Sequence, residues 1–510
     1  MSDQANVWRL DLANEDQTRD FAQTVASFVG AGDLVTLSGD LGAGKTAFAR
    51  ALIRSLTEDA ALEVPSPTFT LMQVYETEKY PIVHADLYRI GSPDELADLG
   101  WDEATDSALV LVEWAERAGE LMPPDRLDIR LTIPPGHDEA RIAEVTGHGG
   151  FGPRLMRARG ATEVLRRSGW SGANRTFMLG DASTRAYERL EKPDGERAIL
   201  MISPPRPDGP PVRFGKPYSA IARLAEDIRP FVAIDNALRS KGLSAPEIYA
   251  ADLDSGFAVL EDLGAEGVVD GNGPIRERYA VALDVLAYLH GMELSDVAPL
   301  TLDRNYTIPP YDLDALLIEV ELLTEWYAPF AGANLSSGAR ATFVNLWRQT
   351  VIGVVAAAPT WTLRDYHSPN LIWLDDREGY QRIGIIDFQD CVMGHPAYDV
   401  ASLLQDARVT VPDDVEIRLL GHYAQARRAA TPDFDMAAFA RAYAILGAQR
   451  ATKILGIFAR LDKRDGKPQY LAHLPRIWGY LGRNLAHPEL RALARWYDTH
   501  FPLAERRRTH

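Results

Sequence analysis

The sequence of 510 residues contains a single cysteine, Cys391. A disulfide within the chain needs two cysteines, so that form of stabilisation is excluded, and so is a Cys-x-x-Cys metal or redox site. Long apolar runs are also missing. The longest stretches, such as residues 351–358, are far shorter than the roughly 18 residues of a membrane-spanning helix. Residues 1–17 lack the apolar segment of a signal peptide. We therefore expect a cytoplasmic protein that makes no membrane contact.

Basic residues are in the minority. There are 54 Lys and Arg against 72 Asp and Glu, which gives a formal net charge of -18. A protein that coats nucleic acid needs a basic surface to bind phosphates, so such a role is excluded, whereas indirect contact with RNA through a protein complex is not. The length predicts roughly two to four domains.

The chain changes character along its length. Residues 1–145 alternate between strand and helix patterns, which predicts an α/β domain with a mixed sheet. Glycine-rich residues 146–158 lack periodicity and predict a linker. Residues 159–510 predict a second domain, with short strands in a small lobe to about 260 and a helical large lobe after it. The clearest predicted strands are 33–39, 81–88, 108–114 and 125–133, and the clearest predicted helices are 45–56, 161–170, 276–290 and 436–461.

The first chemical pattern is GDLGAGKT at residues 39–46, which matches G-x-x-x-x-G-K-[S/T] between a predicted strand and a predicted helix. Its glycines let backbone N–H groups face phosphate oxygens, and the helix adds its positive dipole end. Lys45 can reach the terminal phosphates, and the Thr46 hydroxyl can ligate Mg²⁺. The predicted nucleotide-binding residues here are Gly39, Asp40, Leu41, Gly42, Ala43, Gly44, Lys45 and Thr46.

A nucleotide-bound metal also needs a carboxylate, which in an α/β sheet usually stands at the end of a neighbouring strand. Glu113 ends one apolar run and Asp86 ends another. The alternative for each is an ordinary solvated acid at a strand end. We expect both carboxylates to lie beside the phosphates.

Four motifs in this half occur in a characteristic order: GDLGAGKT, VPSPTFTL (64–71), HADLYRI (84–90) and LVEWAER (111–117). Together they resemble the bacterial TsaE family, the ATPase subunit of the complex that makes threonylcarbamoyladenosine on tRNA. The resemblance implies that Thr46 and Glu113 hold Mg²⁺, that Lys45 binds phosphate and that Asp86 is needed for activity. It implies TsaB-like and TsaD-like protein partners, with tRNA contacted indirectly. Residues 66–69 resemble the family's mobile loop, and Trp114 is either interfacial or part of the core.

The second chemical pattern is LRDYHSPNLIW (363–373), followed by RIGIIDFQD (382–390). Asp365 on a loop can accept the proton of a substrate hydroxyl. Asn370 can point back to a metal, and Asp387, at the end of an apolar strand, can hold Mg²⁺ between phosphates. The three residues with a strand between them argue against Asp365 as a simple turn residue. We predict Asp365 as the catalytic base and Asn370 and Asp387 as metal ligands.

This pattern resembles the aminoglycoside-phosphotransferase and choline-kinase superfamily, which implies a bilobal α+β fold like that of protein kinases. LEDLG (260–264) resembles the segment between the lobes that binds adenine, and GDASTRAYERL (180–190) resembles the turn that covers the phosphates. Asp399 is expected to order the catalytic loop or to cap a helix. The nucleotide-binding residues implied by the resemblance are Gly180, Ser183, Thr184, Glu261 and Leu263.

Two positions depart from the superfamily pattern. Leu363 replaces the first histidine of the catalytic loop, although His367 lies within the loop. The strand at 196–203 has no lysine, and Met201 stands about where one is expected. Either another cation substitutes, or ATP is bound differently, or transfer activity has been lost. The candidate cations are Arg185 and Arg189.

Three segments, GDASTRAYERL, LMISPP (200–205) and LRDYHSPN, look most like the cell-wall amino-sugar kinases, a branch that also lacks the strand lysine. That resemblance implies phosphorylation of the anomeric hydroxyl of N-acetylmuramate or N-acetylglucosamine, with ATP and Mg²⁺ as cofactors. The chain would then be bifunctional. Two alternatives stay open: a kinase for another alcohol, such as an aminoglycoside, choline or homoserine, and a nucleotide-sensing module without catalysis. An acidic pocket would suit aminoglycosides, and an arginine-bearing pocket would suit the muramate carboxylate.

Overall fold

The computed structural model describes residues 7–90, 95, 105–118, 122–178, 185–205, 209–502 and 506. The chain divides into two compact units, Met1–Ser171 and Gly172–His510. The predicted boundaries of the two domains, residues 1–145 and 159–510, remain a proposal. Residues 180–184 of the predicted phosphate-covering turn lie outside the described residues, and with them three predicted nucleotide-binding residues: Gly180, Ser183 and Thr184.

The first unit is built on a seven-stranded sheet with the order β1-β7-β6-β2-β5-β4-β3. Its four central strands, from β6 to β4, run parallel, and the flanking pairs are antiparallel. This confirms the mixed α/β sheet. Strands β4 and β5 are buried along their whole length, which explains their apolar runs. The strands are β1 (Val7–Leu12), β2 (Leu34–Ser38), β3 (Met72–Tyr75), β4 (Ile82–Asp86), β5 (Leu109–Glu113), β6 (Leu127–Thr132) and β7 (Arg141–Gly147).

In the described part of the first unit, three long helices accompany this sheet: α1 (Glu15–Ala26), α2 (Lys45–Thr57) and α3 (Phe151–Ser168). Helix α1 begins at an Asn14 cap, whose side chain accepts the Gln17 N–H at 3.0 Å. Helices α1 and α2 pack together through Phe21 and Phe48, with ring centroids 5.3 Å apart. That contact fixes the start of α2, and with it the GDLGAGKT loop, against the sheet.

Residues 146–158 are not a linker in the structure. They complete β7 and form the first half of α3, which begins at Phe151 and not at residue 161. The Asp125 carboxylate accepts the Gly150 N–H at 2.9 Å, and Pro153 occupies the first helical turn, where no N–H is required. Phe151 and Leu155 join the core of the first unit. Glycine and proline are common both in linkers and at the starts of helices, and here they begin a helix.

The small lobe of the second unit holds a five-stranded antiparallel sheet with the order β13-β14-β10-β9-β8. Helix α5 packs its apolar face in the same core as β10 and β14. The elements in chain order are β8 (Asn174–Met178), β9 (Ala186–Glu191), β10 (Arg197–Ile202), β11 (Pro211–Arg213), β12 (Lys216–Pro217), α4 (Tyr218–Ala222), α5 (Arg229–Ser240), β13 (Ile248–Asp252) and β14 (Phe257–Glu261).

The large lobe is helical, with short strand pairs. Its helices are α6 (Arg276–His290), α7 (Leu313–Leu322), α8 (Ser337–Val355), α9 (Ala397–Leu404), α10 (Asp413–Ala430), α11 (Met436–Asp465), α12 (Leu474–Leu485) and α13 (Arg491–His500). The strands are β15 (Val269–Asp270), β16 (Gly273–Pro274), β17 (Val297–Pro299), β18 (Asn305–Thr307), β19 (Thr360–Thr362), β20 (Leu371–Trp373), β21 (Ile383–Ile385) and β22 (Val392–Gly394).

Helix α11 runs through the centre of this lobe. At Gly456 it approaches α7 so closely that a Cβ would lie 2.4 Å from the backbone carbonyl carbon of Leu322. Among the described residues, α11 and the other helices lack the combination of length and apolar character that a bilayer crossing requires.

Candidate functional sites

The GDLGAGKT loop joins β2 to α2 and depends on Gly39. Gly39 has φ 132°, and a Cβ there would lie 2.1 Å from the Leu131 carbonyl oxygen, so no other residue fits. Arg141, from β7, donates through Nε to the Ala43 carbonyl at 2.8 Å and through Nη2 to the Gly42 carbonyl at 3.3 Å. The loop is thus braced by a cation that no sequence motif indicated. A cleft of about 500 Å³ opens beside it, lined by residues that include Ala43, Gly44 and Arg141.

Lys45 is buried within this loop. Its Nζ donates to the carbonyls of Gly39 at 2.6 Å and Asp40 at 3.0 Å. The same atom stands 3.7 Å from the centre of the Trp114 ring, a cation–π contact. Burial lowers the pKa of Lys45, while nearby carboxylates, Glu113 first among them, oppose that shift. Trp114 therefore contacts the lysine of the GDLGAGKT loop and is not only a core residue.

The predicted metal ligands of the first unit lie in contact. The Thr46 hydroxyl donates to Glu113 Oε2 at 2.9 Å. His84 Nε2 lies 3.0 Å from Glu113 Oε1, with both side chains buried. Glu113 ends β5 opposite Asp86 of β4 and Leu37 of β2. Register alone therefore brings the two predicted carboxylates to one edge of the sheet. His84 was missed at the sequence level, although it stands inside the HADLYRI motif.

Asp86 organises the SPTF segment. Its Oδ2 accepts the hydroxyls of Ser66 and Thr68, each at 2.7 Å, and its Oδ1 accepts the Tyr88 N–H at 3.0 Å. Phe69 next to these hydroxyls is 82% exposed. Asp86 therefore fixes a loop whose tip presents an aromatic ring to solvent.

The catalytic loop of the second unit carries a strained residue before its acid. Arg364 has φ 67°, a region that a bulky side chain seldom occupies. Its N–H donates to Asp399 Oδ1 at 2.8 Å, and the Leu363 N–H donates to Asp399 Oδ2 at 2.7 Å. This confirms that Asp399 orders the loop. The Arg364 guanidinium forms a buried ion pair with Glu319, a partner that the sequence did not reveal.

Asp365, Asn370 and Asp387 come together around that loop. Asn370 Nδ2 donates to the Asp365 carbonyl at 2.9 Å and to Asp387 Oδ2 at 3.3 Å. Asp387 follows β21 with φ 60°, and its Oδ1 accepts from Arg185 Nη2 at 2.9 Å and Gln389 Nε2 at 3.0 Å. The two predicted metal ligands, Asn370 and Asp387, are therefore in contact, and Asp387 also contacts Arg185, one of the two candidate cations.

Charge around Asp365 favours its ionised form. Burial by itself raises the pKa of Asp365, but the basic groups around it, among them Lys453, Arg364 and Arg450, outweigh burial, and the net pKa is lowered. His367 Nε2 lies 4.0 Å from Asp365 Oδ1. Asp365 is therefore a carboxylate that can accept a proton at neutral pH.

A cleft of about 300 Å³ lies between the lobes of the second unit. Asn370 and Asp387 line it from the large lobe, and Glu261 and Leu263 line it from the segment that follows β14. Met201 does not line it, because that side chain is buried in the core. Arg189 lines the cleft 3.3 Å from Asp262 Oδ2. Arg189 of β9 thus lines this cleft, and Arg185, the residue before β9, contacts its lining residue Asp387, whereas β10 contributes no cation to the lining.

Asp365 also borders a separate cavity of about 220 Å³ in the large lobe. The cavity is markedly cationic, with five basic side chains and three carboxylates. The basic residues are Arg364, Arg408, Arg450, Lys453 and Arg460, and the acids are Glu319, Asp365 and Asp390. The catalytic loop thus lies where an apolar cleft and a cationic cavity meet.

Comparison with known families agrees with this division. Residues 175–440, more than half of the chain, match the phosphotransferase enzyme family. The chain belongs to that family. An N-acetylmuramate/N-acetylglucosamine kinase of Caulobacter vibrioides is 39% identical over 67% of this chain and 96% of the relative. A protein of the same name from Pseudomonas putida is 32% identical over 65% of this chain and 90% of the relative.

Residues 12–141 match the family of the threonylcarbamoyl adenosine biosynthesis protein TsaE. A TsaE protein of Rickettsia felis is 40% identical over 24% of this chain and 72% of the relative. The first unit is therefore a TsaE-family domain. The chain joins a TsaE-family domain to a phosphotransferase-family domain, as the two sets of motifs predicted.

Proposed function

We propose that the chain is bifunctional: an ATPase component of tRNA threonylcarbamoyladenosine modification, and a kinase for the anomeric hydroxyl of N-acetylmuramate and N-acetylglucosamine. The observation that carries the kinase half is the position of Asp365. It faces a sugar-sized cavity, while Asn370 and Asp387 turn toward the cleft that suits a nucleotide. This arrangement supports transfer of a phosphoryl group from one compartment to the other.

The proposed transfer uses the ionised Asp365. Its carboxylate accepts the proton of the anomeric hydroxyl as that oxygen bonds to the γ-phosphorus of ATP. The bond from the γ-phosphorus to the bridging β,γ-oxygen breaks, and ADP leaves. Arg185 lies against Asp387 and brings positive charge to the phosphate side of the cleft. In this proposal Arg185 takes the place of the missing strand lysine.

Each site offers oxygen ligands that suit Mg²⁺. In the first unit these are the Thr46 hydroxyl and the Glu113 carboxylate, which already lie in contact. In the second unit they are the Asn370 and Asp387 side chains. When bound, Mg²⁺ would neutralise charge on the phosphate oxygens.

The TsaE-family half is proposed to hydrolyse ATP slowly alone and faster with partner proteins that resemble TsaB and TsaD. Asp86 and its SPTF loop support this idea, because Asp86, which stands opposite Glu113 in the sheet, orders the two hydroxyls while the Phe69 ring stays largely exposed. The acidic chain is expected to contact tRNA through those partners. Tight tRNA binding by the purified chain alone at physiological salt would contradict this half of the proposal.

The kinase half is tested with the purified full chain, Mg-ATP and a panel of amino sugars and alcohols. We expect sugar 1-phosphate from N-acetylmuramate, N-acetylglucosamine or both, identified by ³¹P NMR. Phosphorylation of an aminoglycoside, choline or homoserine without either amino sugar would refute the substrate assignment. ATP binding without transfer to any acceptor would favour the nucleotide-sensing alternative.

A further inference from the structure

The cationic cavity beside Asp365 owes much of its charge to one face of α11. Arg450, Lys453 and Arg460 stand at positions i, i+3 and i+10, which fall within about 80° of one another around a helix. All three line the cavity. The helix also spaces them, since its rise places the backbones of Arg450 and Arg460 roughly 15 Å apart.

These three cations differ in how they are neutralised. Lys453 Nζ lies 3.3 Å from Glu319 Oε1 and donates to the Tyr398 hydroxyl at 2.7 Å. Among the described residues, neither Arg450 nor Arg460 has a carboxylate within 4.0 Å. Arg450 is 5% exposed and donates to the Gln405 carbonyl at 3.3 Å.

Arg460 interacts with Tyr218, and no carboxylate pairs with it among the described residues. Its guanidinium lies 5.3 Å from the centre of the Tyr218 ring, and its buried Nε has no hydrogen-bond partner among the described residues. Burial lowers the pKa of Arg460. Arg460 is partly buried, and a partly desolvated guanidinium without a paired carboxylate is less stable than a paired one. An anionic ligand in the cavity would supply that partner.

The two arginines serve different ends of the cavity. Arg450 lines the cavity together with Asp365, the residue that is proposed to meet the reacting hydroxyl. Arg460 stands about three helical turns further along. N-acetylmuramate carries its carboxylate on a lactyl ether, attached to a different ring carbon from the anomeric hydroxyl. A sugar that presents its anomeric hydroxyl to Asp365 therefore directs this carboxylate away from the reacting oxygen.

We propose that Arg460 binds the carboxylate of the acceptor and thereby makes the site selective for N-acetylmuramate over N-acetylglucosamine. The inference rests on the proposed kinase function and adds a specificity residue to it. The two sugars share the acetamido ring and the reacting hydroxyl and differ by the lactyl group. Their ratio of kcat/KM therefore isolates the carboxylate contact.

The test compares Arg460→Met, Arg460→Lys and the control Arg441→Met in the full chain. Arg441 is on α11 as well, with Nε 3.4 Å from Glu489 at an exposed position. A charge-assisted hydrogen bond contributes about 1.5–3 kcal/mol, so Arg460→Met should lower kcat/KM for N-acetylmuramate by roughly 10- to 150-fold. The value for N-acetylglucosamine should change by less than about twofold, which also shows that the variant is folded.

Arg460→Lys should retain part of the selectivity, because lysine keeps the positive charge but cannot make the two parallel hydrogen bonds that a guanidinium makes to a carboxylate. Arg441→Met should leave both sugars unaffected. Equal losses for the two sugars would mean that Arg460 acts on the phosphoryl group or on folding, and unchanged selectivity would remove it from the site. Either outcome overturns the inference while the kinase function stands. If the unmodified chain phosphorylates neither sugar, the proposed function fails and this inference fails with it.

Discussion

Replacing Asp365 with Asn tests the centre of the proposed kinase chemistry. The change removes the carboxylate charge with almost no change in shape. The loop should keep its conformation, because Asn370 hydrogen-bonds to the backbone carbonyl of residue 365 and not to the side chain. The hydrogen bonds from the Leu363 and Arg364 N–H groups to the Asp399 carboxylate are likewise unaffected. A loss of activity would therefore report on chemistry and not on folding.

The expected loss follows from the role of the carboxylate. A general base typically contributes about 10²- to 10⁴-fold, which corresponds to roughly 2.7–5.4 kcal/mol of transition-state stabilisation. Asp365→Asn should thus lower kcat for N-acetylmuramate at least about a hundredfold. The affinity for ATP should hardly change, because Glu261 and Leu263 line a different compartment from the Asp365 carboxylate.

The assay combines steady-state formation of sugar phosphate with direct measurement of ATP binding. Asp387→Asn provides the contrast, since that variant should weaken the use of Mg-ATP itself. The pH profile gives a second check. Basic groups around Asp365 outweigh its burial and lower its pKa, so the base should stay ionised to a lower pH than an ordinary aspartate does. Unchanged turnover in Asp365→Asn would show that this loop is not the catalytic loop.

Three further tests address the rest of the structure. Lys45→Ala should abolish ATP hydrolysis in the TsaE-family unit and leave sugar phosphorylation intact; loss of both activities in a folded protein would contradict independent sites. Gly456→Ala should lower the free energy of unfolding by roughly 1–3 kcal/mol in urea titrations, because its Cβ would collide with Leu322. Gly421 on α10 is the control, because a Cβ there would have no atom within 4 Å, so Gly421→Ala should be neutral or stabilising. Equal losses of unfolding free energy in the two variants would refute the packing argument. Burial raises the pKa of Asp235 to about 8. Between about pH 4 and pH 8 this carboxyl is therefore protonated in the folded protein and ionised in the unfolded chain, so the free energy of unfolding decreases as pH rises through that range. Asp235→Asn should therefore raise the thermal midpoint at pH 8 more than at pH 5, and an equal gain at both values would exclude this titration as the cause.

The sequence by itself determined the parts of this protein that depend on neighbouring residues. The GDLGAGKT loop needs its glycines for backbone reasons that act within a few residues, and the strand before it and helix after it have periodicities visible in the sequence. The same holds for the order Asp365, Asn370 and Asp387, and for Glu113 and Asp86 at the ends of buried strands. Their joint position then follows from the parallel register of β4 and β5.

Tertiary structure decided which charges meet. Arg141 braces a loop almost a hundred residues earlier in the chain, and Glu319 of α7 pairs with Arg364 of the catalytic loop. No spacing rule connects such residues, because their contacts depend on how whole elements pack. The start of α3 was decided in the same way: its glycines and proline suit a linker equally well. Burial of Phe151 in the core and the distant Asp125 carboxylate on Gly150 make the segment a helix.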